Sequence, residues 1–303
     1  MQTGEALEYG LTPIRNVKKS KLMNTATATH PTTISPNQAL WEMGDFTRIA
    51  ATMRESGQAL VARLDVTPGL RVLDLGCGDG TTAVPAAELG ARVTGVDIAR
   101  NLVDAGNRRA RERGLANLSF VHGDATNLHD LPDGGFDLTV SIFGAMFAPK
   151  PVEVAREAVR VTKRGGRIVM GNWIPNHPTL VAQILKISAA YLPPPPEGFV
   201  SPMTWGIESH VIERFVGAGV ARENIAFARE TFTFNYPGTP VEFLALFRNY
   251  YGPTMKAYAA AETNGRAAEL QRELAELFTR QNQSSDPSNT IIPATFLRVA
   301  ITV

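Results

Sequence analysis

The sequence predicts an open α/β fold: a seven-stranded, mostly parallel sheet with helices on both faces and a helical insertion before the last strand. Three observations carry this. Apolar strand-like runs alternate with helix-like runs from Arg71 to about Met170, the rhythm of parallel βαβ units. A glycine turn, Gly76-Cys-Gly78, follows the first of these runs. Beyond Trp173 the strand-like runs Ile225–Tyr236 and Ala294–Val303 are separated by two long helical stretches.

The elements follow in order. Arg71-Val-Leu-Asp-Leu75 is an apolar strand running into Gly76-Cys-Gly-Asp-Gly80. A helix through Leu89 tolerates Pro85 only in its first turn, and Gly90 ends it. Arg92–Asp97 is the second strand, and residues 99–113 are a basic helix closed by Gly114. Leu118–His122 and Phe136–Phe143 are the third and fourth strands, and Arg167–Gly171 the fifth. Residues 178–191 and 208–217 read as helices around an extended Pro193–Pro196 run. Residues 240–261 and 266–283 read as the two inserted helices.

The chain of 303 residues divides into an N-terminal arm over 1–36 and a single domain over 37–303. Within the domain the nucleotide-binding core spans about 68–172, substrate-covering elements about 173–283 and the final strand about 294–303. Met23 offers an alternative start, with residues 1–22 upstream of it. The formal net charge is +1, from 30 Lys and Arg against 29 Asp and Glu, so no long-range field draws in nucleic acid or an anionic membrane. No run approaches the ~20 apolar residues of a membrane span, and the basic, Thr-rich start is not a signal peptide. One cysteine, Cys77, excludes an intramolecular disulfide and any zinc site built on several thiolates, and fits a cytoplasmic setting. The expected partner is a small molecule, with a homodimer left open.

Gly76-x-Gly78 between a strand and a helix suits close approach of a ligand to the backbone. A dinucleotide fingerprint wants Gly or Ala at position 81, where Thr81 stands. Asp97 ends the second strand, where an acid holds ribose hydroxyls in either nucleotide class. Asp74, two residues before Gly76, is awkward for a pyrophosphate but can anchor a cationic amino group. Asp124, after the third strand, can accept from an adenine amino group.

Val72-Leu-Asp-Leu-Gly-Cys-Gly-Asp-Gly80 resembles the first motif of the Rossmann-like class I S-adenosylmethionine-dependent methyltransferases. Val96-Asp97, Gly123-Asp-Ala125, Phe136-Asp137 and Arg164-Gly-Gly-Arg167 fall at that family's later motif positions. More narrowly, the chain resembles a group of bacterial small-molecule methyltransferases. Trp41-x-x-Gly44-Asp-Phe46, Phe143–Pro149, Gly171-Asn-Trp173, Pro193–Pro196, Trp205-Gly206 and Tyr250-Tyr-Gly-Pro253 carry that likeness. The resemblance implies an antiparallel final strand, S-adenosylmethionine as cofactor and transfer of its methyl group to a small molecule. Gly76, Cys77 and Gly78 would line the methionine part, with Asp74 behind them. Asp97 and Ile98 would hold the ribose, and Gly123, Asp124 and Ala125 the adenine. Ser141 would follow near the end of the fourth strand, and Trp41 and Asp45, in the segment to Phe46, would close over the cofactor.

Methyl transfer from a sulfonium is an in-line displacement with a good leaving group, so alignment and exclusion of water dominate and a general base is optional. Aromatic residues after the central strands are candidates for the acceptor wall: Phe143, Phe147, Trp173, Trp205 and Tyr251, with core packing as the competing reading. His177, just beyond the fifth strand, is the candidate base, against the reading of a solvated loop histidine. No metal site is expected. Ser141-Ile-Phe-Gly144 replaces the Asn-Pro-Pro-Tyr-like tetrad of adenine-N6 and glutamine-amide methyltransferases. Cytosine C5 chemistry lacks a thiol to spare, and no acid ends the fourth strand for a metal-dependent catechol enzyme. The Arg108–Arg113 cluster reads as a solvated helix surface. Two other readings stay open: a non-catalytic S-adenosylmethionine-binding protein, and an NAD(P)-dependent oxidoreductase.

Overall fold

A computed structural model describes Met1 and residues 34–303. The arm expected over 1–36 lies outside the described residues as far as residue 33. Its last two residues start a helix instead: Ser35 caps it, its hydroxyl accepting from the Gln38 amide, and Pro36 opens α1 (Pro36–Glu42). Proline suits that place because first-turn N–H groups have no intrahelical partner. Two further short helices, α2 (Thr47–Ala51) and α3 (Arg54–Val61), precede the sheet and were not expected.

The alternating run then follows: β1 (Arg71–Leu75), α4 (Ala83–Glu88), β2 (Arg92–Asp97), α5 (Arg100–Glu112), β3 (Leu118–His122), β4 (Phe136–Ile142), α6 (Pro151–Val161) and β5 (Thr162–Trp173), the last longer at both ends than the expected Arg167–Gly171. β1 pairs in parallel with β2 on one side and β4 on the other. β3 lies outside β2, and β5 outside β4. The strand order therefore reverses at β1 and β4, and a crevice opens beyond their carboxyl ends.

The second half adds α7 (Leu180–Ala189), α8 (Glu208–Gly217), β6 (Ile225–Tyr236), α9 (Pro240–Tyr250), α10 (Gly252–Thr263), α11 (Ala267–Gln281) and β7 (Thr290–Thr302). β7 runs antiparallel between β5 and β6, which completes the order β3-β2-β1-β4-β5-β7-β6. It is the antiparallel final strand that the resemblance implied. In β6, Phe232 and Phe234 are buried on one face, with half-buried Thr233 between them and exposed Thr231 and Asn235 on either side.

The helix expected over 240–261 is two helices, so the insertion holds three. The break at Tyr251 has a specific cause. Pro253 lacks an N–H and belongs in a first turn. A Cβ on Gly252 would stand 2.3 Å from the Leu40 carbonyl oxygen, so only glycine lets the backbone of α1 pass this close. The insertion packs through phenylalanine edges and faces: Phe243 meets Phe247 at 5.3 Å and Phe278 at 5.4 Å between centroids. Among the described residues no helix is long and apolar enough to cross a membrane.

Candidate active site

A cleft of about 1160 Å³, its mouth included, lies over the carboxyl ends of β1, β2 and β4. Its base is two backbones in contact. A Cβ on Gly76 would meet the Gly144 Cα at 2.6 Å, and one on Gly144 would meet the Gly76 carbonyl oxygen at 2.2 Å. Ser141 holds these loops together. Its hydroxyl donates to the Leu75 carbonyl at 2.6 Å and accepts from the Ala145 amide at 2.9 Å. That bonding occupies Ser141 beneath the cleft, whose wall it does not join. Gly78 differs from Gly76. At φ +55°, its missing Cβ has no neighbour nearer than Phe46 Cδ1 at 4.0 Å, which leaves an open cradle above the turn.

Polar groups gather on this side. Asp97 is buried and accepts from the Gly78 amide at 2.8 Å on one oxygen and the Ala99 amide at 2.9 Å on the other. Burial pushes its carboxyl up, and these amides pull it partly back. Each oxygen keeps a lone pair for a further donor. Asp124 accepts from the amide and hydroxyl of Thr126 on one oxygen only, at 2.8 and 2.9 Å. Cys77, Ile98, Gly123 and Ala125 complete this wall. Asp79, missed in the sequence, also lines it, held by the guanidinium of Arg54 and, at 3.8 Å, that of Arg109.

Asp74 stands elsewhere. Its carboxylate faces a small space behind the loop, among Val61, Leu64, Val66 and Ala83. Neither oxygen has a hydrogen-bond partner among the described residues. Burial pushes this carboxyl up to about 7, and the nearby Thr82 hydroxyl and Ala83 amide offset that only in part. Thr82 lines both spaces and separates Asp74 from the cleft.

The roof comes from the N-terminal segment. Trp41 meets Phe147 edge-on at 5.0 Å, and Phe46 and Tyr251 each at 5.9 Å. Glu42 fastens one side: its carboxylate accepts from the Arg100 amide at 3.0 Å, at the open N-terminus of α5, and from the Gln38 side chain at 2.9 Å. The Asn101 side chain donates to the Gly44 carbonyl at 3.1 Å. On the other side, a Cβ on Gly44 would meet the Tyr250 carbonyl oxygen at 2.4 Å. Asp45 is not part of the cleft wall; it accepts from the Thr47 amide at 3.2 Å and hydroxyl at 2.5 Å and so caps the turn into α2.

The half of the cleft over β4 and β5 is apolar. Phe143 and Trp173 stack there with centroids 3.7 Å apart, and Phe232 meets Phe143 edge-on at 5.1 Å. Phe234, Phe247, Tyr251, Phe147 and Val181 extend the wall. Of these, Phe232 and Phe234 escaped notice in the sequence, although the alternation Phe232-Thr-Phe234 within a strand was a readable sign of one buried face. Two expected residues lie outside. Trp205 is buried against Phe215 at 6.1 Å and under the Arg214 guanidinium, 4.5 Å from its ring. His177 sits in a loop with Nδ1 at 3.0 Å from the Thr179 hydroxyl, away from the cleft, and burial and the Arg229 charge hold its pKa below the ordinary value. The reading as a loop histidine is the one this geometry favours.

The family described as a methyltransferase domain matches residues 73–170. An uncharacterised protein of Mycobacterium tuberculosis is 32% identical over 258 residues, covering 84% of this chain and 90% of the relative. A second from that organism is 34% identical over 248 residues, covering 81% and 88%. Among solved structures, the YcgJ protein of Bacillus subtilis aligns with a TM-score of 0.51 at 19% identity, over 82% of this chain and 98% of its own. A phosphoethanolamine N-methyltransferase of Haemonchus contortus, solved with S-adenosylhomocysteine, aligns at 0.57 and 16% identity over 89% of this chain and 60% of its own. The chain belongs to the class I S-adenosylmethionine-dependent methyltransferases.

Proposed function

We propose that the chain transfers the methyl group of S-adenosylmethionine to a small, largely apolar acceptor. The division of a single cleft carries this reading: family-motif residues line one half, and aromatic side chains line the other. The cofactor fits the first half. The open cradle over Gly78 accommodates its methionine and ribose portion, Asp97 has lone pairs for two ribose hydroxyls, and Asp124 keeps one oxygen for the adenine amino group. Asp74 acts behind the loop through Thr82, without direct contact. When bound, the cofactor supplies an electrophilic methyl carbon on a sulfonium.

The protein's share is alignment and dryness. Phe143, Trp173 and Tyr251 hold the acceptor over β4, and Trp41 with Phe46 closes the roof, so water is kept from the reacting atoms. Positioning of this kind supplies ~7–11 kcal/mol of a barrier in favourable systems. Two curated relatives named demethylmenaquinone methyltransferase support a small-molecule acceptor; the one from Paenarthrobacter aurescens is 36% identical over 121 residues, 40% of this chain and 45% of its own. The test is incubation with methyl-labelled cofactor and a panel of aromatic, quinol, thiol and amine acceptors, read by mass spectrometry. Labelled product is expected from apolar acceptors; labelling of protein or nucleic acid alone would sink the reading.

A further inference from the structure

Among the described residues, the acceptor half of the cleft holds no group that takes up a proton near neutral pH. Tyr251 is the one ionisable side chain that the described residues place among its walls, and burial pushes that phenol far above its ordinary range. It stays neutral and is a poor base. The other titratable groups on the cleft wall are Cys77, Asp79, Asp97 and Asp124, on the loops after β1, β2 and β3. Asp79 is taken up by Arg54 and Arg109, Asp97 by backbone amides with His122 nearby, burial keeps the Cys77 thiol protonated, and Asp124, after β3 on the adenine side, accepts from the Thr126 amide and hydroxyl. His177 lies outside.

The chamber is also poorly built for a cation. Indole is the best π surface for one. Phe143 already covers a face of Trp173, with planes 11° from parallel, and Phe234 lies near-parallel at 6.4 Å. Among the described residues no carboxylate lines this half.

We infer that the acceptor enters as an anion: a small aromatic thiol or acidic phenol, ionised in water before it binds. The inference rests on the methyl-transfer reading above and names the acceptor class within it. An isolated anion is costly in an apolar chamber. Here its counter-charge is the sulfonium, and their attraction grows as the dielectric falls. The thiolate sulfur or phenolate oxygen gives its electron pair to the methyl carbon. The bond from that carbon to the sulfonium sulfur breaks, and its pair stays on sulfur. The acceptor's negative charge and the sulfonium charge cancel, a neutral ether or thioether forms, and no proton has to leave. Dry walls favour a transition state in which charge is disappearing. An alcohol would have to shed a proton where no base stands, and an amine would become a cation with no anion facing it.

The experiment uses the full chain. Calorimetry with S-adenosylhomocysteine first establishes cofactor binding. Turnover of 4-nitrothiophenol, thiophenol, 4-nitrophenol and phenol is then followed with labelled cofactor over about pH 5 to 9, beside benzylamine and benzyl alcohol. The expected acid limb of kcat/KM falls about tenfold per pH unit below each probe's own pKa, so its midpoint moves from probe to probe. Phenol, largely neutral at pH 7, should react about tenfold or more slowly than 4-nitrophenol. One midpoint shared by all probes overturns the inference, because the titrating group is then the enzyme's. Preference for benzylamine or benzyl alcohol overturns it as well, as does cofactor binding with no turnover of any ionised probe; in these cases the methyl-transfer reading stands. Failure to bind S-adenosylhomocysteine overturns that reading and the inference together.

Discussion

Phe143 and Trp173 stack face to face, 3.7 Å between centroids, although Phe143 must adopt φ +64° to do so. The left-handed region costs a bulky residue about 1–2 kcal/mol, and such strain persists only where surrounding packing enforces it. Phe232 and Phe296 enforce it here, edge-on at 5.1 and 5.2 Å. Phe143→Ala keeps the strained backbone and loses the ring; Phe143→Gly loses both. Each should lose about 3–5 kcal/mol in urea unfolding, with glycine no worse than alanine despite its larger chain entropy. Glycine less stable than alanine by a full kcal/mol would mean that the backbone carries no strain.

Asp74 gives the fold a pH dependence of known sign. Its carboxyl is raised from 3.8 to about 7 by burial, so the folded state holds the proton more tightly than the unfolded chain does. The stability this contributes is complete below the unfolded value and is lost as pH rises through about 7. Asp74→Asn cannot ionise. Relative to the wild type, it should gain on the order of a few kcal/mol between pH 5 and 8. Parallel urea curves for the two proteins across that range would refute the assignment.

The roof should govern cofactor residence. Glu42→Ala removes the acceptor that ties α1 to the Arg100 amide. Gly44→Ala drives a Cβ into the Tyr250 carbonyl. Both variants should release S-adenosylhomocysteine faster in stopped-flow displacement, by about tenfold for a lost charge-assisted hydrogen bond. Unchanged off-rates in both would make this segment ordinary packing.

Asp97 is expected to dominate affinity. Asp97→Asn weakens two amide hydrogen bonds and the charge offered to the ligand, which should weaken S-adenosylhomocysteine binding about 10- to 100-fold. Calorimetry reporting an unaltered Kd would remove Asp97 from the site.

The βαβ half of the fold was legible because its signals are local. Gly76, Gly78, Gly90 and Gly114 mark turns whose positive φ the chain adopts, and apolar runs between them have strand or helix length. The polar half of the cleft, which we propose for the cofactor, was legible for the same reason: Gly76, Asp97 and Gly123 each stand at or just beyond the end of a strand. The acceptor half was read only in part. Its walls come from α2, β4, β5, α7, β6 and α9, and they meet because β7 inserts between β5 and β6 and because Gly252 and Pro253 break a helix. No local pattern announces either event. Asp45, Ser141, His177 and Trp205 were residue types suited to a site at plausible places, yet local hydrogen bonds or packing claim each of them.

The two tryptophans of the second half separate packing from function. Trp173 lines the cleft, whereas Trp205 is enclosed by Phe215 and by Arg214, a buried guanidinium with no carboxylate partner among the described residues. Trp205→Ala opens a large cavity and strips Arg214 of its aromatic partner, so stability should fall by about 3–5 kcal/mol. Turnover per folded molecule, measured well below the melting temperature, should stay within about twofold of wild type. Trp173→Ala should do the reverse in function: cofactor affinity held within about twofold, turnover down about tenfold or more as the acceptor loses its wall. His177→Ala is the control. Its ring bonds Thr179 outside the cleft, so kcat and the pH profile should match the wild type. A lost pH limb in His177→Ala would restore it as the base and count against an acceptor that arrives already ionised.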